Sequence, residues 1–104
     1  MSFDITKVLK DMTSAINDSV IEDGGDISQY AGEIISNESE AFEVLASAIL
    51  SREIDDEVFK REIERERIVL ETELLTIEIM TSSFAQKAVN AAINVFVDAV
   101  KLAL

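Results

Sequence analysis

Residues 68–104 read IVLETELLTIEIMTSSFAQKAVNAAINVFVDAVKLAL, and the way this stretch disposes of its apolar side chains decides the fold. No glycine follows Gly32, and the chain contains no proline, histidine, cysteine or tryptophan. Proline would kink a helix and a late glycine would cap one, so neither usual stop signal is present here. From Asp55 or Asp56, either a suitable N-cap, the chain therefore reads as helix to its end. An unbroken rod of about 50 residues would be about 75 Å long, whereas a globule of about 100 residues has a radius of gyration near 13 Å. A compact single chain cannot contain it. Either the helix breaks or the protein is an extended oligomer.

Angular bookkeeping at about 100° per residue separates the two cases only in part. Arg67, Glu71, Glu78 and Ser82 share one polar stripe with Glu64, while Asn90, Asn94, Asp98 and Lys101 share another with Lys87. The wet face swings by almost half a turn between residues 82 and 87. Ser83 with Gln86 three residues later forms a capping box, preceded by Thr81 and Ser82, so a stop and restart is one solution. The other is a continuous rod whose halves bury different faces. Leu70, Leu74, Ile77, Thr81, Phe84, Ala88, Ala91, Val95, Asp98 and Leu102 keep alternating spacings of four and three across the supposed break. That heptad-like seam favours the rod, although Thr81 and Asp98 weaken it. The stretch is too apolar to lie on the outside of a small monomer. Self-association through residues 68–104 is therefore expected, with Leu70, Leu74, Ile77, Phe84, Ala88, Ala91, Val95 and Leu102 at the interface.

Working towards the N-terminus, residues 56–71 are laced with charge. Asp56 with Lys60, Glu57 with Arg61, and Lys60 with Glu64 stand four apart and suit a projecting surface helix. Upstream lie three short helices. The first begins at a Ser2 N-cap with Asp4 in its first turn and buries Ile5, Val8, Leu9, Met12, Ala15, Ile16 and Val20. Glu22-Asp23-Gly24-Gly25-Asp26 ends it. Asp26 with Gln29 caps the second, which buries Ile27, Tyr30, Ala31, Ile34 and Ile35. A bend at Ser36-Asn37-Glu38-Ser39, with Asn37 and Glu40 as the cap pair, leads to a third helix burying Phe42, Val44, Leu45, Ala48 and Ile49. The expectation is one all-α domain over residues 1–104. Its acidic short-helix region spans 1–52 and its oligomerisation region, one long helix or two collinear ones, spans 53–104.

Charge narrows the partners. Residues 1–43 hold ten carboxylates against Lys7 and Lys10, whereas residues 52–67 hold seven against five bases. Most of the net charge of −12 thus belongs to the first half. Direct nucleic-acid binding needs clustered Lys and Arg and is not expected. A basic protein surface is. The start of the chain shows no signal peptide, and the charges and amides of residues 84–104 argue against a membrane span. With no cysteine, the chain suits a reducing, cytoplasmic setting.

The same absences limit chemistry. Without imidazole or thiol, His-dependent triads, thiolate zinc sites and the Glu-x-x-His di-iron pattern all fail. Gly24-Gly25 lacks the lysine of a phosphate loop. The carboxylates that remain, Glu40-x-x-Glu43 and Glu53-x-x-Asp56, have the letters of a Mg²⁺ site in an all-helical nucleotide pyrophosphohydrolase. Nine residues separate the two pairs, which is short for two antiparallel helices. Glu73 lies on the apolar side of its helix, where a buried carboxylate has a raised pKa or finds a cation, such as Arg65 or Lys87 of a neighbouring chain. Asn90 and Asn94 either fix the register of a seam or mark the wet stripe. The function expected is a non-enzymatic helical interaction module, without cofactor, presenting an acidic N-terminal surface to a basic partner. Two alternatives stand beside it: the Mg²⁺-dependent hydrolase using Glu40, Glu43, Glu53 and Asp56, and an acidic nucleic-acid mimic or immunity-type inhibitor.

Overall fold

The computed structural model describes residues 3–22, 28–77 and 80–104. The described chain is helical throughout: α1 (Ile5–Glu22), α2 (Ser28–Asn37), α3 (Ser39–Leu50), α4 (Asp56–Leu74) and α5 (Ser82–Ala103). Local chemistry accounts for most of the boundaries. Asp4 starts α1, its Oδ1 accepting the Lys7 amide at 3.2 Å; the expected cap, Ser2, lies outside the described residues. The caps expected for α2, Asp26 and Gln29, cannot be paired for the same reason, since Asp26 and Ile27 are not described. The bend before α3 falls where expected, but neither Asn37 nor Glu40 caps it. Glu38 is the N-cap residue, without a side-chain bond, and the Ser39 hydroxyl donates back to the Ser36 carbonyl at 2.8 Å. Asp55 caps α4 through the Val58 amide at 2.9 Å, with Asp56 and Glu57 in the first turn where carboxylates complement the helix dipole.

With no glycine to end α3, Arg52 takes the left-handed conformation at φ 65°. The Glu53 amide then bonds back to the Ala48 carbonyl at 2.9 Å, closing the helix end. A side chain at that φ costs about 1 kcal/mol relative to glycine, and the reversal it permits sends α4 back across α3.

The rod breaks. Helix α4 ends at Leu74, and Thr81 caps α5 by accepting the Phe84 amide at 3.2 Å, two residues before the expected Ser83. The two helices are not collinear either. End to end, their 19 and 22 residues would need about 60 Å, but the molecule measures 40 × 24 × 19 Å with a radius of gyration of 13.4 Å. Helix α5 instead folds back against α4 and forms its most extensive pairing with α1. Helix α4 does not project. It packs on α2, α3 and α5 and buries Ile63, Leu70 and Leu74. Among the described residues its ion pairs are Glu62–Arg65 and Glu64–Arg67, three residues apart, rather than the expected spacing of four.

The core joins Val8, Met12, Ile16 and Val20 of α1 to Ala85, Ala88, Val89, Ala92, Ile93, Phe96 and Val100 of α5. Phe42 of α3 meets Phe96 at 4.9 Å between ring centroids, tilted by 58°, and Phe59 of α4 lies 6.3 Å from the same ring. This burial removes the reason for expecting copies to shelter one another. Leu70, Leu74 and Ala88, three of the proposed interface positions, are wholly covered within the chain. Ile77, Phe84, Ala91 and Val95 are partly covered, and of the eight only Leu102 stands in solvent, at 81% exposure. Asn90, Asn94, Asp98 and Lys101 are exposed and form the wet stripe of α5. Among the described residues no helix is long and apolar enough to cross a membrane.

Candidate protein-interaction site

The short helix α3 contains apolar residues at 41, 42, 44, 45, 46, 48, 49 and 50, enough to build more than one stripe. The fold selects Phe42, Leu45, Ala46 and Ile49 for the core. Val44, expected inside, is left 62% exposed, and Ala48 is only partly covered. Tyr30 of α2 is likewise on the surface rather than inside. The consequence at Val44 is a groove of about 640 Å³ between α3 and α4. Ala41, Val44, Leu45 and Ala48 line it from α3, Ile54 and Val58 from the turn and the start of α4. Its polar lining is Asn37, Glu40, Glu62 and Glu66, with no Lys or Arg among the described residues that form it.

The carboxylates expected to hold Mg²⁺ do not converge. Glu40 faces this groove, Glu43 faces a different one beside Phe3 and Ile5, and Asp56 faces a third beside Lys101 and Leu104. Glu53 is exposed in the turn that Arg52 opens. Among the described residues no group of three acidic side chains is placed to hold a metal ion. A helix presents neighbours three apart on adjoining faces, and here the two pairs look out from different sides of the bundle.

The electrostatic centre lies elsewhere. Glu66 and Glu73, a heptad apart on α4, both come up against Glu38 at the start of α3. Burial, then the charge and hydrogen bond of Glu38, then Glu62 and Glu73, push the Glu66 carboxyl up to about 7. Burial and Glu38 raise Glu73 as well. One oxygen of each, Glu66 Oε2 and Glu73 Oε2, is buried with no hydrogen-bond partner among the described residues. Of the two outcomes expected for Glu73, a raised pKa or a cationic partner, the raised pKa is the one found, with burial and Glu38 as its causes. Glu66 was missed, although its heptad spacing from Glu73 was a usable signal. Glu38 could not be found that way, because it reaches the pair only through the packing of α3 on α4.

A carboxyl whose pKa is higher folded than unfolded binds its proton more tightly in the native state. Its contribution to stability is complete below about pH 4.5 and is lost as pH rises through about 7. Glu66 is only partly buried, so solvent screening cuts the full conversion to about 1–2 kcal/mol. Urea unfolding at pH 5, 6.5 and 8 should show stability falling across the range. Glu66→Gln should flatten that fall and be the more stable protein at pH 8. Parallel pH profiles for the two proteins would contradict this account of the carboxylates.

Comparison with known protein families, with curated proteins and with solved structures returns no match to this chain.

Proposed function

We propose that this chain is a non-enzymatic interaction module that presents an acidic face to a basic protein partner. The observation that carries the reading is the one-sided charge of α2, α3 and the turn into α4, whose carboxylates look out on more than one side of the bundle. Residues 29–57 hold eight carboxylates against a single cation, Arg52, and seven of the eight are exposed. Among the described residues the ion pairs Lys7–Asp11, Glu62–Arg65 and Glu64–Arg67 lie within α1 and α4 and use none of these eight carboxylates. Such a field attracts a basic partner and speeds its arrival, and it repels nucleic acid and other copies of the same chain. Self-association is not needed in this reading, because the chain covers most of its own C-terminal helix.

The test is zero-length coupling of carboxylates to lysines in an extract of the cells that make the protein, followed by mapping of the joined residues. Products that join Glu40, Glu43, Glu53 or Glu57 to a lysine of another protein, and that disappear with added salt, support the proposal. Products joining only copies of this chain, or only carboxylates outside residues 29–57, overturn it.

A further inference from the structure

Resting on that reading, we infer that the α3–α4 groove is a docking site for a basic amphipathic helix of the partner. The helix lies with its apolar face on Ala41, Val44, Ala48, Ile54 and Val58, and its Arg or Lys side chains meet Glu40, Glu62 and Glu66. Three observations converge on this occupant. The walls are two packed helices, with no strand edge to extend, so a third helix can seat its ridge between them. The floor is apolar and holds Val44, a large aliphatic side chain that the chain's own core does not cover. The charged groups around it are all of one sign.

Charge complementarity also separates this groove from the one of similar size between α4 and the end of α5. That site is lined by Asp56 and Glu64 together with Lys60 and Lys101, so the two signs balance there. A second copy of this chain, at net charge −12, is a poor occupant of an acidic groove, as is an anionic lipid surface.

Docking is then linked to protons. Glu66 is faced by Glu38 from the start of α3 and by Glu62 and Glu73 along α4, with Glu40 across the groove. An arriving guanidinium stabilises the ionised form, so part of the Glu66 population gives up a proton as the helix seats. Affinity should rise between about pH 6 and pH 8, the reverse of the trend in the stability of the free protein.

The experiment uses the full chain and a synthetic helical peptide of about four turns with a Leu/Ala face and an Arg face. Fluorescence anisotropy at low salt follows binding at pH 6, 7 and 8, against a control peptide with Glu in place of Arg. Binding of the Arg peptide alone is expected, weakened about tenfold by Val44→Asp and left unchanged by Asp98→Asn on the exposed stripe of α5. Glu66→Gln should remove most of the pH dependence, and because it relieves crowded carboxylates it should fold at least as well as the parent chain. Arg-peptide binding that ignores both Val44→Asp and Glu66→Gln overturns the groove and leaves the acidic module standing. No binding of the Arg peptide to the parent chain, or equal binding of the Glu peptide, overturns both. An increase in mass to a dimer of this chain under the same conditions, with the peptide excluded, would identify a second copy as the occupant and overturn the inference.

Discussion

Replacing Phe96 with alanine is expected to remove about 3–5 kcal/mol of stability, the largest loss from any single side-chain truncation in this bundle. Phe96 has no exposed surface and stands where three helices meet. Phe42 of α3 approaches it at 4.9 Å in a tilted arrangement, and Phe59 of α4 stacks at 6.3 Å with 23° between the planes. Truncation removes the transfer energy of the ring, leaves a cavity between helices that cannot collapse onto it, and forfeits the aromatic contacts, themselves worth about 0.5–1.5 kcal/mol each. Small domains are stable by about 5–15 kcal/mol, so the variant sits close to unfolding at room temperature. Urea titration followed by circular dichroism measures it. Phe96→Leu, which keeps most of the apolar volume, should lose clearly less. A loss under about 1 kcal/mol for the alanine variant would mean that the three helices do not share this ring.

Leu74→Ala is the second large effect, at about 2–5 kcal/mol, and its form matters as much as its size. Leu74 is wholly buried by the chain's own helices, beside the break that separates α4 from α5. The loss should therefore appear as unfolding of a single chain, with a midpoint that does not change with protein concentration. Were Leu74 instead part of a seam between copies, truncation would cause dissociation first, and the midpoint would rise with concentration by mass action. Denaturation of parent and variant over a wide concentration range decides between the two. A concentration-dependent midpoint in the parent chain, abolished by Leu74→Ala, would return the residue to an intermolecular role.

Leu74 also illustrates where reading from sequence went astray. The four-three spacing from Leu70 to Leu102 continues through Thr81, and a continuous seam was the natural interpretation. Yet Thr81 is a cap, and the spacing persists because the helices on either side each bury one face against the same core. A periodicity of that kind reports which residues are apolar, not whether one helix carries them. The first helix was easier. Val8, Met12, Ile16 and Val20 recur every four residues among mostly polar neighbours and are found inside, whereas Ile5, Leu9 and Ala15, also expected there, are only partly covered. Helix α3 was ambiguous by the same test, because Ala41, Val44 and Ala48 form a second apolar stripe beside Leu45, and the fold buries the other one, Phe42, Leu45, Ala46 and Ile49. The candidate site lies in that ambiguity. Glu73 was visible as a carboxylate on an apolar face, while Glu38 and the groove had no local signature.

The chain's residues by themselves determined that it is helical, that α4 starts at an Asp55 cap, and that its first half is acidic. These follow from hydrogen bonds within a turn, from side chains that cap a few residues away, and from counting charges. Tertiary structure alone decided that the last helix folds back onto the first, that Leu70, Leu74 and Ala88 are covered within one molecule, and that Glu38 meets Glu66 and Glu73 beside an open groove. Burial is a sum over contacts between segments at opposite ends of the chain. The same apolar stripe satisfies it equally well against α1 or against another copy, and only the packed arrangement specifies which.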